Sequence, residues 1–349
     1  MRSPYRYSVA NYGDMVRCEP RMSRYAEALR RAITPGCSVI DIGAGSGIFA
    51  LLACQYGAGE VVAIEPNDAI QLLPAAAKAN GFENRITIFQ GLSIDFTPGR
   101  RADVIISDLR GHLPHFEHHI STIIDARNRL LGPGGTLIPL RDTLYIALVH
   151  HPETYDSYTR PWLDNDYGLN LSDAYQRVIN SWRKVAFAAC DLRSEPEHLA
   201  TIEYASIDHS DLSANGTMVA TDAGVVHGFI SWFDTELASD IGFSNAPGGP
   251  KLGYGQTFFP FERPVRVSVG DRIRIALKAN LIGDDYIWSW ITTAHLADGL
   301  RISFRQSNFA VKILTADKLQ HVSADHAPPA PPALAIDRHC LSLLSLIHI

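Results

Sequence analysis

The chain of 349 residues is poor in cysteine, and no two of its cysteines stand as a C-x-x-C pair. Cys18, Cys37, Cys54, Cys190 and Cys340 are odd in number and widely spaced. That pattern speaks against a disulfide framework or a zinc knuckle and for a reducing cytoplasm. Met1 to Tyr12 has no apolar stretch of the signal-peptide kind, so no leader is expected. No apolar run reaches the roughly 20 residues that a membrane span needs, and no membrane partner is expected. A long basic run is also missing. Lys and Arg number 31 against 37 Asp and Glu, a net charge of -6, which is the wrong sign for a protein living on nucleic-acid phosphates. Small molecules or cationic substrates suit this balance better. Internal repeats are absent too. Apolar residues, by contrast, make up 46% of the chain, so a large core can form without a metal or disulfide staple. The length suggests about two domains.

The first half alternates between short apolar runs and helix-like stretches, as a Rossmann-like α/β domain does. Strands are expected at 38–42, 60–64, 85–89, 102–107 and 136–138, with helices over 46–56, 68–80 and 120–131. The run Ala102 to Ser107 is nearly all apolar, as a central parallel strand should be. Gly132-Pro133-Gly134-Gly135 reads as a helix stop and turn. Beyond Pro139 the segments 143–149, 226–233 and 272–279 read as antiparallel strands of a barrel or sandwich. Residues 171–185 have helical spacing and read as an insertion. Ala-Pro-Pro-Ala-Pro-Pro-Ala at 327–333 is a polyproline-type linker before an apolar end.

The strongest local signal is Asp41-Ile42-Gly43-Ala44-Gly45-Ser46-Gly47 between a strand and a helix. Glycines there allow a tight turn and a close approach of ligand to main chain. Glu65 follows 20 residues after Gly45, at the end of the next strand, where a carboxylate accepts from ribose hydroxyls. A nucleoside-type cofactor is the reading. The sixth position of a dinucleotide loop is Ile48 rather than glycine, which disfavours NAD.

With Asp41 ahead of them, the three glycines resemble motif I of S-adenosylmethionine-dependent methyltransferases. The chain as a whole, from about Tyr5 to Thr315, resembles the protein arginine methyltransferases, as a divergent bacterial-type member. Val61 to Glu65, Ala102 to Ser107, Arg129 to Pro139, Val226 to Phe233 and Gly242-Phe243-Ser244 carry the likeness in order. The resemblance implies a class I methyltransferase domain over 1–139, with an N-terminal helix covering the cofactor. It implies an antiparallel β-barrel domain over 140–320, with a dimerising helical arm at about 171–185 and hence a homodimer. Residues 321–349 form a Pro-rich linker and apolar tail without a family counterpart. S-adenosyl-L-methionine is the implied cofactor, and a cytoplasmic N-methyltransferase of arginine the implied activity, on a peptide, a protein or a small guanidino compound.

Residue by residue, the family's Met beside the sulfonium corresponds to Met15, and its Arg on the methionyl carboxylate to Arg21. Read alone, these would be a core plug and a surface charge. Ser93 matches the contact to the adenine edge. In the family's Ser-Glu-Trp-Met-Gly loop and its second Glu, this chain has Ser107-Asp108-Leu109-Arg110-Gly111 and then Glu117. Two carboxylates would orient a guanidinium, whose planar fork of donors pairs bidentately with them. The alternatives are a turn cap for Asp108 and a solvated loop acid for Glu117. Asp108 is one methylene shorter than Glu. The family's Thr-His-Trp signature is replaced by Leu252-Gly253-Tyr254, so its His dyad cannot form. Tyr254 is then an aromatic wall for a cation or ordinary barrel packing, and His112 a pocket residue or weak base. The spacing of His112, His115, His118 and His119 matches no standard zinc site, and no metal is expected. The rival functions are an N- or O-methyltransferase of a specialised metabolite, and an impaired member that only binds cofactor.

Overall fold

The computed structural model describes residues 7–311. Helix α1 (Val9–Arg17) starts at Ser8, whose hydroxyl accepts from the Asn11 N–H while the Asn11 side chain accepts from Ser8 N–H, a reciprocal cap. Helix α2 (Glu19–Ala32) has a proline in its first turn and Arg30 and Arg31 in its last, both suited to its dipole and its open N–H groups. The chain then alternates through β1 (Ser38–Ile42), α3 (Ile48–Gln55), β2 (Glu60–Ile64), α4 (Leu73–Ala79), β3 (Ile86–Phe89), β4 (Ala102–Ser107), α5 (His119–Asp125) and β5 (Leu131–Ile138).

These strands form one parallel sheet in the order β3-β2-β1-β4-β5. All five residues of β1 are buried, because apolar layers cover both faces of the sheet. Tyr25, Leu29, Phe49 and Ala53 pack on one face. Ile120, Ile123 and Leu130 pack with Ile40, Ile42 and Ile105 on the other. Strand order reverses between β1 and β4. At such a switch point the loops leaving the carboxyl ends of the two strands diverge and open a crevice. Those loops are the glycine loop after Ile42 and the acid-bearing loop after Ser107.

The helix expected over 120–131 is shorter than its periodicity suggests. It is regular to Asp125 and widens into a π-turn over Ala126–Leu130 before β5 begins. Ala102 pairs with Leu131 but Val104 pairs with Thr136, so residues 132–135 bulge out of the ladder. Gly134, at φ +74°, takes the left-handed backbone of that excursion.

From Arg141 onward the structure is largely antiparallel. It comprises β6 (Arg141–Val149), α6 (Pro152–Leu163), α7 (Ser172–Ile179), β7 (Arg183–Val185), β8 (Glu197–Glu203), β9 (Leu212–Val219), β10 (Gly224–Ala238), β11 (Ile241–Ser244), β12 (Gln256–Val267), β13 (Arg272–Ile282), β14 (Asp285–His295) and β15 (Arg301–Ser307). One sheet runs β7-β12-β10-β6-β8 with β11 beside β10, and a second runs β15-β14-β13-β9. They close in a barrel-like arrangement around Phe229, Phe233, Phe259, Phe261, Trp288 and Trp290. Within 171–185 only α7 is helical; Arg183–Val185 instead pairs with β12.

The two units share core. Leu237 and Ile241 join the layer of Tyr25 and Phe49, and Ile202 and Tyr204 join the layer of Ile120 and Ile123. The linker and tail at 321–349 lie outside the described residues. Among the described residues, no helix is long and apolar enough to cross a membrane.

Candidate functional site

The glycine loop leaves β1 with Gly43, Gly45 and Gly47 all at positive φ, +76°, +56° and +86°. Each also needs its lack of a side chain. A Cβ on Gly43 would lie 2.3 Å from Leu109, one on Gly45 2.5 Å from the Tyr12 ring, and one on Gly47 2.5 Å from Leu73. Through the first contact the glycine loop touches the acid loop, and through the second it receives α1. Glu65 lies buried at the end of β2. One of its oxygens accepts from Gly45 N–H and the other from Asn67 N–H, both at 2.8 Å. Burial raises its pKa despite those two donors. Tyr12 is raised as well, by burial and then by Glu65.

Asp41 sits behind the loop rather than in it. It is fully buried, and its Oδ2 accepts from Ala50 N–H at 3.1 Å, which holds the start of α3. Burial pushes its carboxyl up to about 8. Its Oδ1 and the Ser107 hydroxyl are buried side-chain atoms without a hydrogen-bond partner among the described residues. Both stand near the carboxyl ends of adjacent strands, buried behind the loops. Unsatisfied groups, a glycine-paved floor and a buried acid one strand over suit a nucleoside with a ribose at Glu65. Ser93 is also buried, and its carbonyl is held by Arg129 at 2.6 Å.

Arg21 and Asp108, although 87 residues apart, meet directly. Arg21 Nε and Nη2 donate to Asp108 Oδ2 at 2.7 and 2.6 Å, and Tyr254 donates its hydroxyl to the same oxygen at 2.5 Å. Arg21 also donates to the Met15 carbonyl at 3.4 Å, so α1, α2, the acid loop and the barrel converge here. Met15 itself is half-buried. The other oxygen of Asp108 accepts from Arg110 Nε and Nη2 at 3.2 and 3.1 Å. Burial alone would raise the Asp108 pKa, but Arg21 and Arg110 reverse that and hold it well below the usual carboxylate range.

Arg110 went unnoticed as a site residue in the sequence, yet it occupies the centre of the network. Its side chain is fully buried and pairs with Asp142 at 2.8 Å, and it also donates to Thr235 and Tyr25. The rings of Tyr25, Phe233, Phe243 and Tyr254 surround its guanidinium carbon at 5.5–6.0 Å. The cation walled by Tyr254 is thus, in this structure, the protein's own. Asp142 in turn accepts from the Tyr204 hydroxyl at 2.6 Å, and Tyr204 meets His119 Nε2 at 2.8 Å. One signal for Arg110 was present: it stands where the family loop quoted above has Met.

Beyond Arg110 the acid loop folds back on itself. A Cβ on Gly111 would lie 2.3 Å from the Phe116 ring, and Glu117 follows at φ +46°, an uncommon backbone for a residue with a side chain. The four histidines point apart. His112 Nδ1 lies 3.2 Å from the Tyr254 carbonyl, and His118 Nε2 3.1 Å from Asp284. His115 packs edge-on against Tyr286 and Trp288. Burial pulls His115 and His119 down to about 3, so both are neutral.

Residues 141–287 match the family model described as the arginine methyltransferase oligomerization subdomain, and residues 24–138 match that of ribosomal protein L11 methyltransferase. A probable protein arginine N-methyltransferase 6 of Arabidopsis thaliana is 30% identical over 250 residues, 67% of this chain. The chain is similar to the protein arginine methyltransferases. It spans 56% of that plant relative's length. Protein arginine N-methyltransferase 1 of Saccharomyces cerevisiae is 26% identical over 67% of this chain and 70% of the yeast protein. Among solved structures, the Trypanosoma brucei PRMT1 enzyme–prozyme complex with AdoHcy has a TM-score of 0.78 at 19% identity, covering 88% of this chain and 99% of its own. Arabidopsis thaliana protein arginine methyltransferase 10 has a TM-score of 0.76 at 20% identity, covering 86% and 97%. These two share the fold, the Rossmann-like sheet and the barrel-like unit together.

Proposed function

We propose that the chain is an S-adenosylmethionine-dependent N-methyltransferase whose acceptor is a guanidino nitrogen of arginine in a protein or peptide. The observation that carries this is the meeting, at the carboxyl ends of β1, β2 and β4, of the Gly43–Gly47 and Glu65 cradle with the charged Asp108. When bound, S-adenosylmethionine supplies an activated methyl group on a sulfonium. The three glycines and Glu65 would hold the ribose, Met15 and Arg21 the methionyl end, and Ser93 the adenine edge. Asp41 keeps the loop in shape from behind.

Asp108 and Glu117 would orient the acceptor, with His112 and Tyr254 lining its approach. A guanidinium stays protonated at any working pH. Holding it between carboxylates localises its charge and points one nitrogen at the methyl carbon, so rate comes from position and electrostatics. Arg21 grips Asp108 Oδ2; moving to the methionyl carboxylate, it would free that oxygen for an acceptor N–H. Free arginine or a small guanidino compound could satisfy the same acids. The match to an oligomerization subdomain supports a homodimer formed through the arm at about 171–185. Among the described residues, Cys18, Cys37, Cys54 and Cys190 are free thiols, which supports a cytoplasmic setting.

The test is methyl transfer from labelled S-adenosylmethionine to arginine peptides and free arginine, with calorimetric titration of S-adenosylhomocysteine alongside. Binding plus transfer to an arginine nitrogen is expected. Binding with transfer only to amines or phenols would sink the arginine reading. It would favour a metabolite methyltransferase, a rival supported by Gly253 in place of the family's His. Binding with no transfer to any acceptor would favour an impaired member. Light scattering should give a dimer mass at micromolar concentration.

A further inference from the structure

The function proposed above asks Arg21 to leave Asp108 for the cofactor. Asp108 would then lose the two N–H donors that Arg21 gives to its Oδ2. Its side chain is only 5% exposed, and a carboxylate that buried reverts to the neutral acid unless a cation stays with it. Among the described residues, one other cation touches it. Arg110 donates to Oδ1 through two nitrogens and is itself anchored on β6 by Asp142, on β10 by Thr235 and on α2 by Tyr25. Those anchors belong to three separate elements, so the guanidinium has nowhere to go.

We propose that Arg110 is a positioning residue that holds the Asp108 carboxylate in place for the acceptor after Arg21 has turned to the cofactor. The proposal rests on the function read above. It also explains how a shortened acid works here. Asp108 lacks the reach of the family's Glu, and Arg110, in place of the family's Met, fixes the orientation of the shorter group. With Oδ1 fixed, Oδ2 is the oxygen left for an acceptor N–H, a one-point grip in place of a fork-to-fork pair. Among the described residues, the groups facing Asp108 are few. Arg21 and Tyr25 come from α2, Arg110 from its own loop, Tyr254 from the loop before β12, and His119 from the start of α5. Both tyrosines are raised by burial and His119 is neutral. None of these three can replace a guanidinium as counter-charge.

The experiment follows the Asp108 carboxyl by carbon NMR titration, in the full chain and in its complex with S-adenosylhomocysteine. Arg110→Met is paired with Asp142→Asn so that no buried carboxylate is stranded, and Asp142→Asn alone is the control. Wild type and control should keep Asp108 charged below the usual carboxylate range in both forms. In R110M/D142N the titration should stay low in the protein alone and climb by at least one pH unit in the complex. The acid limb of kcat/KM on an arginine peptide should climb with it, and kcat should fall about a hundredfold. Arg110→Lys keeps the charge without the fork, so it should restore the pH profile but not the full kcat. Identical titrations in wild type and R110M/D142N complexes would overturn the proposal. Failure of wild type to bind S-adenosylhomocysteine would instead sink the function reading. In that case Arg21→Met mimics the departure of Arg21: Asp108 must stay charged in R21M and become neutral when R110M/D142N is added.

Discussion

Replacing Arg110 by Met alone gives the sharpest test of the buried network. Arg110 and Asp142 both have wholly buried side chains 2.8 Å apart. Removing the cation leaves Asp142 with the Tyr204 hydroxyl as its hydrogen-bond donor. Breaking such a pair from one side costs about 3–5 kcal/mol, because a buried charge is left uncompensated. Met fills much of the vacated volume among Phe233, Phe243 and Tyr254, so the cavity contribution is small. Adding Asp142→Asn removes the stranded charge, and at least half of the loss should return. Urea unfolding followed by tryptophan fluorescence, with Trp288 and Trp290 in the barrel core, measures this. A single variant within 1 kcal/mol of wild type, or a double variant no more stable than the single, would refute the reasoning.

Three further outcomes are expected. Glu65→Gln removes a charged acceptor that already holds Gly45 and Asn67, and should weaken S-adenosylhomocysteine binding by about 10- to 100-fold in calorimetry, in line with about 1.5–3 kcal/mol for charged hydrogen bonds. Gly45→Ala places a Cβ at φ +56° and 2.5 Å from Tyr12; it should cost about 1–2 kcal/mol from the backbone alone and increase proteolytic nicking of the displaced α1. Asp41 is raised by burial to about 8 from about 3.9 unfolded. Its native form binds a proton that the unfolded chain does not, so its contribution falls as pH rises from about 4 to about 8, by up to about 1.4 kcal/mol per unit. Asp41→Asn should flatten that slope in a stability-against-pH series.

The parallel sheet was legible because its strands are nearly unbroken apolar runs such as Ala102 to Ser107, and the cofactor cradle because its signal is local. Gly43, Gly45, Gly47 and Glu65 all lie within 23 residues of one another and belong to one strand–loop–helix–strand unit. Boundaries were less legible where backbone geometry competed with periodicity. The 120–131 pattern is helical in spacing, but strand pairing of Leu131 with Ala102 claims its last residue. The 171–185 stretch likewise gives its end to β12.

Composition, order of apolar runs and the spacing of glycines determined a two-part chain with a nucleoside-type site at the end of β1, because those depend on neighbours in sequence. The partners of each charge did not. Arg21 read as a surface cation by itself and as a carboxylate clamp by resemblance, and Asp108 as an acceptor acid; that they hold each other follows from α2 crossing the switch point. Arg110 stood out in the sequence only as a departure from the family loop. Its meaning comes from Asp142, Thr235 and Tyr25, which lie 32, 125 and 85 residues away. Only the packing of the barrel-like unit against the parallel sheet brings those groups around one guanidinium. A mild excess of acid in the composition thus became, in the folded chain, two buried carboxylates already paired with two arginines.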